Sequence, residues 1–347
     1  MAKIKTALCS FGMSGWVFHA PFIHVHPGFE LYAVWERSKN LAEQKYPGIT
    51  TYRSLDEMLA DENIELVVVN TPNYTHYEYA KKALLAGKHI IVEKPFTVTV
   101  AQGEELMALA AQQKRMISVY QNRRYDSDYR TLQKVVKEGW LGNMVEAEFH
   151  YDRYKDELSP KLHKETPGPG TGALYDLGSH LIDQALQLFG MPQAIFADIS
   201  IMRPISQVDD YFELLMYYPS SRVRLKSSYQ VREALPGYVL HGSKGSFIKP
   251  KTDVQEALLQ AGQTPGTPDW GIEPDSERGL LHTEKDGNII REYVPSLRGN
   301  YLDYYEGIYQ CLRHGAPPPV TAEDGLRVIK IIEAALESSR EHKVVNL

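Results

Sequence analysis

Asp176, His180 and Asp183 stand at positions i, i+4 and i+7 of a segment whose apolar periodicity predicts a helix over 175–188. Residues at these spacings share one face of an α-helix, so the three side chains would form a polar stripe. Histidine suits proton transfer near neutral pH, because its ordinary pKa is about 6.5. Neighbouring carboxylates would orient the ring and favour its charged form. The pattern indicates a proton-transfer site at His180, with Asp176 and Asp183 positioning it or binding hydroxyl groups.

The same stripe has two other interpretations. A polar face on a helix is most often simply solvated. Aspartate and histidine can also ligate zinc or manganese, but the sequence offers no clear third or fourth ligand, so we expect no metal. A glycine-rich run, 168–172, precedes the helix and predicts a close approach at its start. That close approach favours a functional role over a solvated face.

A second cluster lies near the N-terminus, where a predicted strand runs into Gly12 and Gly15. A dinucleotide fingerprint needs glycine where the turn is tight and where the backbone approaches the pyrophosphate. Gly12 and Gly15 occupy the second and third glycine positions, while Ser10 occupies the first. Met13 and Ser14 lie between the glycines, where helix amides would bind phosphate. An ordinary strand-to-helix turn is the alternative, and the order of strand, glycines and helix favours the dinucleotide.

The second predicted strand ends in Glu36-Arg37-Ser38, which bears on the cofactor. Glu36 lies where an acidic residue would bind a ribose 2′-hydroxyl, as in NAD. Arg37 and Ser38 could instead hold the 2′-phosphate of NADP. A third interpretation is a solvated strand end with Ser38 as a helix cap. The sequence thus predicts NAD or NADP without choosing between them.

Over the first 120 residues, short β-rich segments alternate with segments of helical periodicity. The predicted strands are 4–10, 30–36, 66–70, 89–93 and 116–120. The predicted helices are 39–46, 55–60, 74–86 and 101–113. Strands that alternate with helices predict a parallel sheet with right-handed crossovers. Residues 1–122 are therefore predicted to form an α/β Rossmann domain.

From about residue 123 the pattern becomes a period-two alternation, which predicts an antiparallel sheet with one wet face. The predicted strands are 145–151, 195–202, 211–218, 222–231 and 245–248. The predicted helices are 126–138, 175–188, 301–313 and 323–340, and 261–276 reads as a loop. Residues 123–347 are predicted to form a second, α+β domain. A cleft between the two domains is the expected place for a small-molecule site.

Composition narrows the classes of function. The 347 residues carry a formal net charge of −6, which gives no reason to expect nucleic acid binding. Two cysteines, Cys9 and Cys311, imply neither a disulfide framework nor a thiolate metal site and fit a reducing compartment. We find no signal-peptide pattern and no run of about 18 apolar residues, so we expect no membrane association and a cytoplasmic location.

Further motifs follow the predicted strands. Thr71-Pro72-Asn73-x-x-His76 follows the predicted strand 66–70, Glu93-Lys94-Pro95 stands at the end of 89–93, and Gln121-Asn122-Arg123-Arg124 follows 116–120, the last strand of the first domain. Gly172-x-x-x-Asp176-x-x-x-His180 lies in the second domain. With the N-terminal glycine loop, these motifs resemble the glucose–fructose oxidoreductase, inositol dehydrogenase and MocA family over essentially the whole chain. His19-Ala20-Pro21 and the Asn-Arg-Arg run are most like its scyllo-inositol dehydrogenase-type branch, whereas Ser10 departs from the family's first glycine.

The resemblance implies a Rossmann domain followed by an α+β domain with an open, mainly antiparallel sheet. It implies a homodimer or homotetramer that assembles through the sheet face, and a cis bond between Lys94 and Pro95. It also implies a nicotinamide-dependent enzyme that moves a hydride between the cofactor and a secondary alcohol or ketone. The substrate would be a sugar, an inositol or a related polyol.

By the same resemblance, Lys94 would hydrogen-bond the reacting oxygen and stabilise its alkoxide-like charge, while His180 serves as general base or acid beside Asp176. The residues expected at the cofactor are Gly12, Met13, Ser14, Gly15, Glu36, Arg37, Ser38, Thr71, Pro72, Asn73, His76, Glu93, Lys94 and Asn122. Those expected at the substrate are Lys94, Asn122, Arg153, Asp176, His180 and Asp183. Asn122 could also belong to a polar linker, Arg153 to a structural aromatic cluster with Tyr151, and His76 to a helix start.

Two other classes of function stay open at this point. One is a cofactor-binding regulator without turnover, although the presence of both Lys94 and His180 disfavours it. The other is a lyase or hydrolase that oxidises its substrate transiently, with no net change in the reduced cofactor.

Overall fold

The computed structural model describes residues 2–347, with the side chains of residues 162 and 163 outside that description. The chain forms two compact units. The first comprises the chain up to Asn122 together with Gln255–Trp270 and Asn300–Leu326, and the second comprises Arg123–Val254, Gly271–Gly299 and Arg327–Leu347. The sequence-based boundary at 122/123 thus coincides with a boundary between the units. Two later segments that the sequence assigned to the second domain instead belong to the first unit.

The secondary structure of the described chain is as follows. The helices are, in order, α1 (Ala20–Val25), α2 (Leu41–Lys45), α3 (Leu55–Ala60), α4 (His76–Leu85), α5 (Val100–Gln113), α6 (Ser127–Lys137), α7 (Leu162–Glu165), α8 (Ser179–Phe189), α9 (Gln255–Gln260), α10 (Leu302–His314) and α11 (Ala322–Glu341). The strands are β1 (Ile4–Leu8), β2 (Phe29–Trp35), β3 (Thr50–Tyr52), β4 (Leu66–Val69), β5 (His89–Glu93), β6 (Ile117–Tyr120), β7 (Met144–His150), β8 (Ala194–Ser200), β9 (Tyr211–Tyr217), β10 (Arg222–Ser228), β11 (Tyr238–Gly242), β12 (Gly245–Lys249), β13 (Gly279–Lys285), β14 (Asn288–Val294) and β15 (Val345–Asn346).

The first unit contains a parallel sheet of strand order β3-β2-β1-β4-β5-β6. The parallel sheet predicted from the alternation of strands and helices is confirmed, and its strand order is that of a Rossmann fold. Every residue of β4 is buried, as its continuous apolar run predicts for a strand covered on both faces. The strand order reverses between β1 and β4, so the loops after these two strands flank the point where such sheets bind dinucleotides.

The second unit contains a nine-stranded sheet of order β14-β13-β12-β11-β7-β10-β9-β8-β15. Its strands pair antiparallel except for β7 and β10, which are parallel. The mainly antiparallel sheet is therefore confirmed. Strands β11, β13, β14 and β15 were not predicted: β14 is mostly exposed near the sheet edge, where alternation is weak, and β15 has only two residues. No helix among the described residues is long and apolar enough to cross a membrane.

The helix that carries the polar stripe begins differently from its prediction. Leu174–Gly178 form a π-helical turn that continues into α8. Asp209, at the entrance to β9, accepts a hydrogen bond from the amide of Leu174 at 2.8 Å. Gly172 has a φ of +96°, and a Cβ there would lie 1.8 Å from Oδ1 of Asp209. The close approach predicted by the glycine-rich run is thus the packing of Gly172 against Asp209.

Asp209 is a titratable group at the start of this helix. Burial raises the pKa of its carboxyl to about 6, against the opposing effect of the hydrogen bonds from the Leu174 and Ala173 amides. A carboxyl whose pKa is raised on folding contributes most stability below its ordinary pKa of about 4. That contribution is lost as the pH rises through about 6.

We predict that Asp209→Asn stabilises the protein at pH 7 to 8, because the amide keeps an acceptor oxygen without a charge to bury. A pKa shift of about two units corresponds to a gain on the order of 1–3 kcal/mol at these pH values. The gain should shrink toward zero as the pH falls to about 4. Thermal denaturation midpoints of both proteins between pH 4 and 8 measure it. A stability difference that does not vary with pH would refute the buried-carboxyl account.

Candidate functional site

The candidate residues of the first unit start with the loop after β1. The hydroxyl of Ser10 accepts a hydrogen bond from the amide of Gly12 at 3.1 Å. The backbone of Ser10 does not adopt a positive φ. Serine therefore fits the first position of the fingerprint, and its hydroxyl stabilises the turn that a glycine would otherwise make unaided.

Gly15 and Asn70 close the loop on itself. A Cβ at Gly15 would lie 2.3 Å from the carbonyl oxygen of Ser10, so no side chain fits there. Asn70, directly after β4, donates its side-chain amide to the same carbonyl at 2.8 Å. Its side-chain oxygen is buried and has no hydrogen-bond partner among the described residues. A close-packed glycine turn and an unsatisfied amide at the point of strand-order reversal fit the dinucleotide that the sequence predicts.

Glu93, at the end of β5, ties this loop to the predicted catalytic lysine. Its Oε1 accepts from the hydroxyl of Ser14 and lies 3.0 Å from Nε2 of His19. Its Oε2 accepts from the amide of Lys94 at 3.1 Å. Burial would raise the pKa of Glu93, but the contacts with His19 and Ser14 and the charge of Lys94 lower it to about 2. An ionised carboxylate thus holds the π-helical turn Ser14–His19 next to the Lys94 backbone.

His19 belongs to this hydrogen-bonded cluster but was not among the predicted site residues, although the His-Ala-Pro motif marked it. It is fully buried, and its Nδ1 lies 2.6 Å from the hydroxyl of Tyr305 on α10. Lys94 itself is half-buried, and its bond to Pro95 is cis.

The loop after β4 contains the predicted cofactor residues Thr71, Pro72 and Asn73. His76, at the start of α4, is buried with Nε2 2.9 Å from the carbonyl oxygen of Thr71 and Nδ1 2.8 Å from that of Pro95. Burial lowers the pKa of His76, which both carbonyl contacts oppose. His76 therefore joins the loop to the Lys94–Pro95 segment, and a direct contact of its ring with the cofactor stays a prediction.

The three candidate residues after β2 differ in burial: Glu36 is buried, whereas Arg37 and Ser38 are not. The carboxylate of Glu36 is buried and accepts from the amides of Leu41 at 3.2 Å and Ala42 at 3.0 Å. Arg37 and Ser38 are exposed. Arg53 donates to the carbonyls of Glu36 and Lys39, at 2.9 and 2.7 Å, and so fixes the course of this loop. Glu36 thus binds the first amides of α2, while Arg37 and Ser38 are exposed to solvent.

The candidate residues of the second unit lie on the π-helical turn and α8. Asp176 accepts from Nζ of Lys164 at 2.8 Å. His180, about one turn further along, is 6% exposed. π-Helical turns are frequent at functional sites, and this one carries Asp176 immediately before α8 begins.

Asp183 is held by a bidentate ion pair. Nε and Nη2 of Arg124 donate to its two oxygens at 2.7 and 2.6 Å, and Asp183 is 2% exposed. The next residue, Gln184, donates to the Arg123 carbonyl at 3.1 Å and accepts from the Tyr238 hydroxyl at 3.2 Å. This network fixes α8 to the segment after Asn122, so Asp183 contributes to the position of His180.

Arg153 lies beyond β7 with its guanidinium 4.9 Å from the ring centre of Tyr151, as the alternation predicted for one face. Asn122 is buried at the end of the first unit's N-terminal segment. Gln121 was not predicted as a site residue, yet both polar atoms of its buried side chain are without a hydrogen-bond partner in the described chain. In the part of the chain that the structure describes, no group of three or more His, Cys, Asp or Glu residues could hold a metal ion.

Comparisons with known proteins match both halves of the chain. Residues 4–121 match the family model "Oxidoreductase family, NAD-binding Rossmann fold", and residues 133–347 match "Oxidoreductase family, C-terminal alpha/beta domain". The chain is 39% identical to the scyllo-inositol 2-dehydrogenase (NADP(+)) IolW of Bacillus subtilis, with 99% of this chain and 96% of the relative covered. It is 37% identical to the uncharacterised oxidoreductase YdgJ of Escherichia coli, with 99% of each covered.

Solved structures agree with this relationship. The oxidoreductase YvaA of Bacillus subtilis matches with a TM-score of 0.95 at 38% identity, covering 99% of this chain and 98% of that one. An oxidoreductase of Bacteroides fragilis matches with a TM-score of 0.91 at 50% identity, covering 99% of this chain and all of that one. The chain belongs to the Gfo/Idh/MocA family of oxidoreductases, with the NAD-binding Rossmann fold and C-terminal α/β domain that define it.

Proposed function

We propose that this protein is an NADP-dependent dehydrogenase that moves a hydride between the cofactor and a secondary alcohol or ketone of a polyol, sugar or inositol. The observation that carries the proposal is the position of Glu93 and Lys94. The Glu93 carboxylate holds the π-helical turn that follows the glycine loop, through Ser14 and His19. The next residue in the chain is Lys94, whose amide donates to the same carboxylate. The lysine backbone is thereby fixed relative to the cofactor loop.

In this proposal Lys94 donates a hydrogen bond to the reacting oxygen and stabilises the negative charge that develops there. His180 removes the hydroxyl proton during oxidation and returns it during reduction. Asp176 lies on the preceding turn and binds substrate hydroxyls or orients the histidine. A bound nicotinamide would supply or accept the hydride.

The polyol class rests on the resemblance and on IolW, a relative whose name gives scyllo-inositol as its substrate. Asn122, Arg153, Asp176 and Asp183 are the proposed substrate residues besides the catalytic pair. Asp183 would act mainly through its ion pair with Arg124. A homodimer or homotetramer and a cytoplasmic location are part of the same proposal.

We predict that Lys94→Ala and His180→Ala each lower kcat by about 10²- to 10⁴-fold, because each removes a group that acts on the reacting oxygen or its proton. Cofactor affinity should change little. Absorbance at 340 nm with inositols and sugars measures turnover, and fluorescence titration with NADPH measures binding.

His282→Ala is the matched control for these variants, because His282 is an exposed histidine on β13. It should retain the kcat of the parent. Unchanged turnover in either catalytic variant would remove that residue from the mechanism. Product formation without net NADPH formation would indicate transient oxidation instead of a dehydrogenase.

The preference for NADP follows from the segment after β2. Both oxygens of the Glu36 carboxylate accept hydrogen bonds from amides of α2, so this carboxylate is already engaged by the protein and is less available to a ribose 2′-hydroxyl. This also removes the repulsion that a nearby carboxylate would exert on a 2′-phosphate. Arg37, Ser38 and Lys39 are exposed, and a guanidinium matches phosphate geometry.

We predict that Arg37→Gln raises the KM for NADP at least about tenfold while it raises the KM for NAD less than threefold, because only NADP carries the 2′-phosphate. Steady-state kinetics with both cofactors measures the ratio. Lys3→Gln, another exposed cation of the first unit, should leave the ratio unchanged. Equal effects of Arg37→Gln on both cofactors would contradict the 2′-phosphate assignment.

A further inference from the structure

The chain that continues from β7 carries a row of basic and aromatic side chains in the second unit. Residues 151–155 run beside 226–231, with the amides of Tyr151, Arg153 and Lys155 donating to the carbonyls of Lys226, Ser228 and Tyr229. In such an extended segment alternate side chains share a face. Tyr151, Arg153 and Lys155 therefore lie on one face, and hydrogen bonds fix the backbone that carries them.

Two side chains of this face, Arg153 and Lys155, lie within electrostatic reach of the turn that precedes the helix with the proposed catalytic histidine. Asp176 is close enough for its charge to act on both Arg153 and Lys155. Tyr229 lies among these groups, with Nζ of Lys155 5.4 Å from its ring centre. The basic row is thus part of the surroundings of Asp176 and its helix.

The nearby carboxylates are already paired with other cations. Asp176 pairs with Lys164 at 2.8 Å, and Asp183 pairs with Arg124. Glu165 and Asp210 both pair with Arg203, at 3.3 and 2.7 Å. These pairs leave the local carboxylates neutralised without Arg153 or Lys155.

Arg153 and Lys155, in contrast, make no ion pair with any residue that the structure describes. They rest on the tyrosine rings of Tyr151 and Tyr229 instead. Both side chains are partly buried. Burial and the charge of Arg153 lower the pKa of Lys155, and the opposing charge of Asp176 offsets this only in part. Two neighbouring, half-buried cations are costly when the carboxylate near them, Asp176, is already paired with Lys164, unless a ligand supplies a further anion.

We infer that Arg153 and Lys155 form an anion subsite, and that the natural substrate is a polyol or sugar bearing a carboxylate or phosphate group. A guanidinium presents paired N–H donors that match either group, and a lysine adds a point charge. The tyrosine rings hold both cations in place. This inference rests on the proposed function for the alcohol chemistry, whereas the anion binding can be measured without turnover.

The test compares neutral and anionic compounds in the full-length protein with NADP. D-Glucose and myo-inositol are the neutral probes, D-glucuronate is the carboxylate and D-glucose 6-phosphate is the phosphate. At least one anionic probe should have a kcat/KM at least about tenfold above that of glucose. In Arg153→Gln and Lys155→Gln, the ratio of kcat/KM for this anionic probe to kcat/KM for glucose should fall about tenfold or more. The fall should come mainly from a higher KM for the anionic probe, because each variant loses a charge-assisted contact. Arg153→Lys should restore part of it.

Arg232→Gln is the matched control. Arg232 also stacks on a tyrosine, with its guanidinium carbon 3.8 Å from the ring centre of Tyr154. Arg232 is exposed, however, and by the same alternation Tyr154 lies on the opposite face of the segment from Arg153 and Lys155. It should leave the ratio unchanged. Thermal denaturation midpoints verify that each variant is folded.

Isothermal titration with the same probes separates the subsite from the chemistry. Anion binding that Arg153→Gln abolishes, in the absence of turnover, would support the subsite and refute the dehydrogenase. A preference for glucuronate or for glucose 6-phosphate assigns the anion as carboxylate or phosphate. Anionic probes that bind no more tightly than glucose, with ratios insensitive to Arg153 and Lys155, would overturn the inference.

Discussion

The carboxylate of Glu93 is the interaction on which the first unit's site depends. Its two oxygens receive the Ser14 hydroxyl, the His19 ring and the Lys94 amide, so one buried charge joins the glycine loop to the strand that carries the lysine. These partners hold the pKa of Glu93 near 2 against its burial, and the group therefore stays ionised at any physiological pH. In the second unit, the Arg124–Asp183 pair has a comparable role for the helix with His180. Each unit thus positions its candidate catalytic side chain through a carboxylate whose two oxygens are both engaged.

Much of the fold was predictable because its signals are local. The continuous apolar run of β4 and the alternation of β7 specify the parallel and antiparallel sheets before any contact is known. Other elements gave no such signal: β3 has only three residues, and the register that pairs β7 with β10 in parallel depends on distant chain segments. Contacts between residues far apart in sequence were equally invisible. The partner of Glu93 is 74 residues away at His19, and the group that packs against Gly172 is Asp209.

For the candidate site residues too, the sequence predicts the residue types, whereas their contacts are known only from the structure. Residue types located Asp176, His180 and Asp183 on one helix, but only the structure reveals that Asp183 is occupied by Arg124 and Glu36 by the amides of α2. In both cases a carboxylate that the sequence left open to a ligand is bound by the protein itself. The departure at Ser10 has the opposite outcome, since its hydroxyl accepts the Gly12 amide and the loop needs no glycine there. A motif therefore identifies which side chains are present, whereas their contacts in the folded protein determine which of them a ligand can reach.

The outer edge of the Rossmann sheet has a consequence for how the chain matures during synthesis. Strand β6 has no strand beyond it, and Ser118 pairs there with residues that follow α10: its hydroxyl donates to the carbonyl of Val320, 202 positions further along the chain. At elongation rates of about 5–20 residues per second, this edge stays uncovered for roughly 10–40 s after β6 is made. An unprotected strand edge invites pairing with other chains. Until Val320 is made, the N-terminal part of this chain therefore exposes a strand edge through which it can pair with other chains.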